Sequence, residues 1–213
     1  MKNFSTNDPM NYLPPGLFEY LLIVSPEKEV YDKVIEEKQN FSRNYNQQVA
    51  VKTKPHITIS CFLAWDSMED TIVRWLQRIT SDQKCFQVTL NNYSGFPSHT
   101  IYLRIQDSSA IDELTARIKL IAPYIKEKDC PPTRLTSYPH LSIAPQLPVE
   151  IYETAIKDYS EKEFHASFKV NELVLLKRKH KYDACSETAV FRLQPVEHAD
   201  RNDVMINYDP RES

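Results

Sequence analysis

Two tripeptides in this 213-residue chain carry side chains that could do chemistry. His56-Ile57-Thr58 is echoed eighty-four positions later by His140-Leu141-Ser142, and each copy follows a proline, Pro55 and Pro139. Side chains on a strand alternate between faces, so His56 and Thr58 share one face while Ile57 and Ile59 take the other. His140 and Ser142 repeat the arrangement, with Leu141 and Ile143 turned away. Two such strands facing each other would gather two imidazoles and two hydroxyls around one pocket. Opening a strained phosphodiester needs a base to deprotonate water and an acid to protonate the departing ribose oxygen. Histidine, with a free pKa of ~6.5, serves in either role. Hydroxyls can donate hydrogen bonds to the non-bridging phosphoryl oxygens without a metal. A single His-x-Thr is more often a half-buried histidine with a satisfied hydrogen bond. The duplication, with a proline before and a helix after each copy, weighs against that reading here.

The elements that must position these groups follow from the pattern of apolar residues. Phe18 to Val24 reads as a strand ended by Pro26, and Glu27 to Asn44 as an amphipathic helix through Val30, Val34 and Phe41. His56 to Leu63 alternates as a half-buried strand should. A helix through Ile72, Val73, Leu76 and Ile79 follows, with Asp66 or Ser67 as its expected cap. Strands at Cys85 to Asn91 and Thr100 to Gln106 are joined by a turn containing Gly95 and Pro97. A helix is expected from Ser108 to Ala122, the second motif strand from Pro139 to Ala144, and another helix from Val149 to Tyr159. Strands from Phe164 to Lys177, with a break, and Thr188 to Leu193 complete the chain. The halves share an order of elements, which implies two similar α+β lobes with mostly antiparallel sheets and helices on one face. Residues 1–17 read as a flexible arm, 18–195 as the bilobal domain and 196–213 as a polar tail.

Composition removes several classes of function. Lys plus Arg is 26 against Asp plus Glu at 29, a net charge of −3, which argues against sequence-blind wrapping of nucleic acid but leaves room for a local basic cleft. Gly16 and Gly95 are the only glycines, so no Gly-rich phosphate cradle can be written. Cys61, Cys85, Cys130 and Cys185 form no CxxC pair and read as isolated thiols in a reducing compartment. The longest apolar run, Tyr20 to Val24, is far short of the ~20 residues that span a bilayer. Without a signal-like segment at the amino end, a soluble cytoplasmic protein with no membrane contact is expected.

The paired motifs resemble those of the 2H phosphoesterases, the family that includes the bacterial RNA 2′,3′-cyclic phosphodiesterases once named 2′-5′ RNA ligases. His56 to Leu63 is similar to that family's first motif strand, and Pro139 to Ala144 to its second. Gly95-Phe96-Pro97 and Tyr102-Leu103-Arg104-Ile105 resemble the hairpin before its central helix. The resemblance spans about Phe18 to Leu193. It implies an α+β, bilobal, pseudo-two-fold fold, with two mostly antiparallel sheets flanked by helices around a central cleft. It also implies His56 and His140 as proton-transfer residues and Thr58 and Ser142 as phosphate holders. Ala64 stands where glycine is common in the family. An aromatic from the last lobe is expected near the pocket for base stacking, and Tyr182 is the candidate.

Lys54 and Arg134 precede the two motifs, so each either reaches a phosphate at the cleft mouth or is ordinary solvated charge. The run Lys177-Arg178-Lys179-His180-Lys181 either guides RNA inward or is a solvated hairpin tip. His99, His165 and His198 lack patterned partners. His56 and His140 have no carboxylate or thiolate at ligand spacing, so no metal and no cofactor is expected. The leading expectation is a monomeric, metal-independent phosphoesterase opening 2′,3′-cyclic phosphates at RNA ends or on nucleotides. A small-nucleotide enzyme acting on a 2′-5′ linkage or a cyclic ADP-ribose phosphate, and a non-catalytic RNA-end binder, are the alternatives.

Overall fold

The structure is a computed structural model that describes residues 13–136, 138–179 and 183–196. In chain order its elements are β1 (Leu17–Val24), α1 (Lys28–Tyr45), α2 (Val49–Lys52), β2 (Ile57–Trp65), α3 (Glu69–Thr80), β3 (Phe86–Phe96) and β4 (Thr100–Ile105). There follow α4 (Ser109–Ile118), α5 (Ala122–Glu127), β5 (Arg134–Leu135), β6 (His140–Ala144), α6 (Val149–Ser160), β7 (His165–Val170), β8 (Glu172–Arg178) and β9 (Ser186–Arg192). The order β1-α1-β2-α3 is repeated as β4-α4-β6-α6.

The strands lie in the order β7-β3-β4-β6-β2-β1-β8-β9, with β5 alongside β2. Each pairing along this path is antiparallel. The middle of the path is thin. β2 and β6 are joined through the single residue pair Ile57 and Leu141. The sheet is therefore two four-stranded halves, one per lobe, touching at the centres of the two motifs. Helices interlock them: α1 follows a first-lobe strand yet packs on β6 and β7, and α4 follows a second-lobe strand yet packs on β2.

Local chemistry explains most boundaries. On α1, Val30, Val34 and Phe41 are buried at helical spacing, and Asn46 ends the helix in the left-handed region with φ 52°. The expected helix after Ser108 stops at Ile118, passes through a 3-10 turn at Lys119–Ile121, and restarts as α5 with Pro123 in its first turn, where a missing N–H costs nothing. Neither Asp66 nor Ser67 caps α3: the two sit in a 3-10 turn, and Asp66 takes the Lys177 ammonium instead. Within the expected arm, Leu13 packs against the core and Leu17 already begins β1, 3% exposed. The tail from 197 onward lies outside the described residues.

Both motif strands carry an irregularity at the same place. Leu22 and Ile23 pair with Ser60 and Thr58, so Ile59 is the extra residue on β2. Ile101 and Tyr102 pair with Ala144 and Ser142, so Ile143 is the extra residue on β6. A bulge shifts the alternation of the strand that carries it. Beyond Ile59, plain alternation would turn Ser60 and Phe62 toward the cleft, but both are buried, while Cys61 and Leu63 are half-exposed.

Gly95 lies inside β3 rather than in the turn, and its lack of a side chain is used for close packing. A Cβ there would lie 2.4 Å from the Tyr152 hydroxyl and 2.9 Å from Ile156 Cδ1. Gly95→Ala is expected to lower stability by ~1–3 kcal/mol, the usual range for overpacking. A shifted urea midpoint measures it, and an unchanged midpoint would show that α6 gives way freely.

Candidate active site

The pairing of Ile57 with Leu141 fixes the site. In an antiparallel register centred on that pair, His56 stands level with Ser142, and His140 with Thr58. Each imidazole thus faces the other lobe's hydroxyl, and the imidazoles sit on the diagonal, a spacing of roughly 7–8 Å in an ordinary sheet. Ile57, Ile59, Leu141 and Ile143 are all fully buried on the opposite face, while His56, Thr58, His140 and Ser142 are half-buried.

The two histidines are held alike. His56 Nδ1 lies 2.7 Å from the Lys54 carbonyl, and His140 Nδ1 lies 2.9 Å from the Tyr138 carbonyl. A carbonyl only accepts, so each Nδ1 carries the hydrogen and each Nε2 is left to exchange a proton. Burial lowers both pKa values. His56 is lowered further by the nearby positive charges of Lys38 and Arg178 and by His140 itself. Among the described residues, neither Thr58 Oγ1 nor Ser142 Oγ makes a hydrogen bond within the protein.

Lys38 sits under both motifs. It is 1% exposed, and its Nζ donates to the Ala50 carbonyl at 3.0 Å, to Thr53 Oγ1 at 3.2 Å and to the Ile143 carbonyl at 3.2 Å. It therefore ties the loop entering His56 to the bulge that follows Ser142. Burial pushes its ammonium down to about 8. The matching bulge carbonyl of Ile59 accepts from the Thr136 amide at 3.2 Å, and Thr136 Oγ1 donates to the Thr58 carbonyl at 2.7 Å.

The other expected residues separate. Lys54 is exposed and serves the site through its carbonyl. Arg134 is exposed on β5 and pairs with Cys61 of β2, at the edge of the cleft. Tyr182 lies outside the described residues, as do His180, Lys181 and His198. Two cations of the basic run are already neutralised: Lys177 by Asp66 and Glu69, and Arg178 by Glu19 at 2.5 Å. Glu19 also accepts from the Cys61 thiol at 3.2 Å, and burial with that carboxylate pushes the thiol up to about 12, so it stays protonated.

Four neighbours of His140 escape a reading of the motifs alone. Phe96 meets its ring edge-on with centroids 4.8 Å apart, and Tyr102 lies 5.0 Å away. Tyr138, half exposed, packs on both Phe96 and Tyr102. Arg104 pairs with His140 across the ladder and is exposed on the same face. Tyr138 could have been found, since two residues before His140 on an extended chain puts it on the same face. Tyr102 and Arg104 alternate correctly, but only the β4–β6 register says which face they share.

The sequence pattern of the 2′-5′ RNA ligase superfamily matches residues 26–181. The chain belongs to that superfamily. Among curated proteins none matches it. Solved structures share its fold at low identity. A crystal structure described only as a phosphoesterase has a TM-score of 0.62 at 14% identity, covering 83% of this chain and 98% of the other. Escherichia coli LigT without ligand gives 0.60 at 14% identity, covering 84% and 98%. TT0787 of Thermus thermophilus gives 0.60 at 13% identity, covering 84% and 100%. The expected α+β fold of mostly antiparallel strands flanked by helices is the one observed, with the two expected sheets joined through β2 and β6 into one. Among the described residues no helix is long and apolar enough to cross a membrane, and no cluster of three or more His, Cys, Asp or Glu side chains is placed to hold a metal.

Two measurements probe this electrostatic arrangement. In an NMR titration both imidazoles are expected to change charge below ~6.5 with Nδ1 protonated in the neutral form; a value above it for either would contradict the burial described. For Lys38, the folded value lies below the free value of 10.5, so folding disfavours its charged form. Stability of the parent relative to Lys38→Met should therefore rise as pH increases from 7 to 10.5, by on the order of 3 kcal/mol. Urea unfolding at both pH values tests this, and parallel pH dependences would show that Lys38 is not held as described.

Proposed function

We propose that this protein is a phosphoesterase that opens 2′,3′-cyclic phosphates by two-histidine acid–base catalysis. The observation that carries the reading is the Ile57–Leu141 pairing, which sets each imidazole against the hydroxyl of the other motif. One imidazole Nε2 takes a proton from water as the water oxygen bonds to phosphorus. The ribose oxygen leaves as the other Nε2 gives it a proton, and the product is a phosphomonoester. Thr58 and Ser142 hydroxyls donate to the non-bridging oxygens as charge builds on them. The donor set supports a metal-independent reaction, because the cleft supplies imidazoles, hydroxyls and arginine rather than a carboxylate cage.

The surroundings break the symmetry between the histidines. Burial lowers both imidazoles, and at each the hydrogen bond to a backbone carbonyl, Lys54 or Tyr138, works against burial; Lys38 and Arg178 press further positive charge on His56. On this reading a single proton shared by the pair rests on His140. His140 is then the acid and His56 the base. Phe96 and Tyr138 beside His140 offer a wall for a nucleobase. Crystal structures of Escherichia coli LigT with ATP and with 3′-AMP accord with a nucleotide-sized ligand.

Turnover of a dinucleotide ending in a 2′,3′-cyclic phosphate, assayed in EDTA, is the test. His56→Ala and His140→Ala are each expected to lose ~10²–10⁴-fold in kcat/KM. Activity abolished by EDTA, or kept in either variant, would overturn the reading. The wild-type pH profile should be a bell centred below ~6.5, since the active form holds one proton between two depressed groups. Residual activity of His56→Ala should lose the acid limb, and that of His140→Ala the alkaline limb; the reverse would exchange the two roles.

A further inference from the structure

The two loops that deliver the histidines are tied down alike, but by different chemistry. Each loop supplies the carbonyl that sets the tautomer of its histidine, Lys54 for His56 and Tyr138 for His140. Each is also bound to the bulge of the opposite motif. The loop before His140 is bound through Thr136, whose amide donates to the Ile59 carbonyl and whose hydroxyl donates to the Thr58 carbonyl. The loop before His56 is bound through Lys38, whose ammonium holds the Ala50 carbonyl and Thr53 hydroxyl on one side and the Ile143 carbonyl on the other. A neutral amide and hydroxyl do for one half what a buried charge does for the other.

That charge is an expensive choice. A fully buried ammonium gives up hydration that three neutral oxygens replace only in part. Among the described residues, the elements packed on α1 bring no carboxylate to it: α2 gives the Ala50 carbonyl, β6 the Ile143 carbonyl, and β7 turns His165 and Lys169 to the opposite, exposed face. Glu37, its neighbour on α1, is bound by the Tyr93 hydroxyl at 2.7 Å. The mirror tie shows that fastening the loop needs no charge, so the charge has another use. Three cationic groups face His56: Lys38 from α1, Arg178 from β8 and, when protonated, His140 from β6. Arg178 already shares its charge with Glu19 at 2.5 Å, which leaves Lys38 as the uncompensated one.

We propose that Lys38 is a positioning residue for the proton-transfer pair: it clamps the His56 loop to the opposite motif and, through its uncompensated charge, assigns the shared proton to His140. The roles of the two imidazoles rest on the acid–base reading above; the electrostatic hold on His56 does not. Without that charge the two halves present nearly equal imidazoles, and the proton divides between them. A large share of molecules would then carry it on the side where a base is needed.

The test reads the imidazoles and the turnover separately. Both imidazoles of the full chain and its variants are titrated by NMR, and a dinucleotide ending in a 2′,3′-cyclic phosphate is assayed for turnover. In Lys38→Met the proton affinity of His56 is expected to rise roughly threefold, the effect of removing one charge across a partly screened distance, with His140 moving less than half as far. The loosened loop should lower kcat by about tenfold while KM holds. Lys38→Arg keeps the charge and should return His56 to its parent value. Thr136→Val cuts the mirror hydroxyl tie without touching a charge and should move neither imidazole. Both imidazoles moving together in Lys38→Met, neither moving, or His56 rising as far in Thr136→Val, would each overturn the proposal. The expected His56 response without turnover of any cyclic phosphate upholds the hold of Lys38 on His56 and instead removes the acid–base reading. Should Lys38→Met not fold, the 13Cε-lysine spectrum of the unmodified chain decides. Lys38 must be charged at about pH 6, where His56 titrates, and a neutral amine there overturns the assignment.

Discussion

One backbone pairing governs this molecule. Ile57 and Leu141 are the only residues through which β2 and β6 pair among those described, and both are fully buried. Each contributes ~1.5–3 kcal/mol by leaving water, and together they set the register that brings four polar groups into one cleft. A slip of either strand by one residue would turn its imidazole and hydroxyl to the helix side. So short a seam could not hold two lobes unaided. The crossing of α1 onto β6 and β7, and of α4 onto β2, makes separation of the lobes cost helix packing as well.

The two bulges let these strands serve core and cleft at once. A regular β2 would have to place Ser60 and Phe62 in the cleft after Thr58; the extra residue Ile59 returns Phe62 to the core, where it stacks on Tyr20. On β6 the extra residue Ile143 turns its carbonyl to a buried lysine rather than to water. Among the described residues Lys38 has no acidic partner and is held by three neutral oxygens. That is a costly way to support a loop, and its effect reaches His56, whose proton it repels. In the proposed reaction, stability is given up where the proton-transfer group must stay neutral.

The motif strands and the main helices could be read directly, because periods of two and 3.6 in apolar residues survive without knowledge of partners. His56 and Ile57 must part company whatever the fold. What depends on pairing between distant segments could not be read. Lys177 and Arg178 look like free cations in sequence, yet the carboxylates that bind them, Asp66, Glu69 and Glu19, lie more than a hundred residues away. The same holds for Asp66, a plausible helix cap on local grounds that a tertiary lysine claims. Phe96, Tyr102 and Arg104 were visible as part of a hairpin, but their position around His140 is a property of the β4–β6 register.

Duplication gives two near-equivalent halves, and a reaction with a direction needs them to differ. The difference here lies outside the tripeptides. Around His56 are charges: a buried lysine from α1 and an arginine already paired on β8. Around His140 are the rings of Phe96, Tyr102 and Tyr138, with Arg104 across the ladder. On the proposed reading, the charges beside His56 favour the proton on His140, and the rings give a planar base a surface beside that same residue. In the proposed reaction, acid and nucleobase then fall on one side of the phosphate, where the ribose oxygen departs. In that reaction the water comes from the other side, along the first-lobe face of Leu21, Leu63 and Leu176.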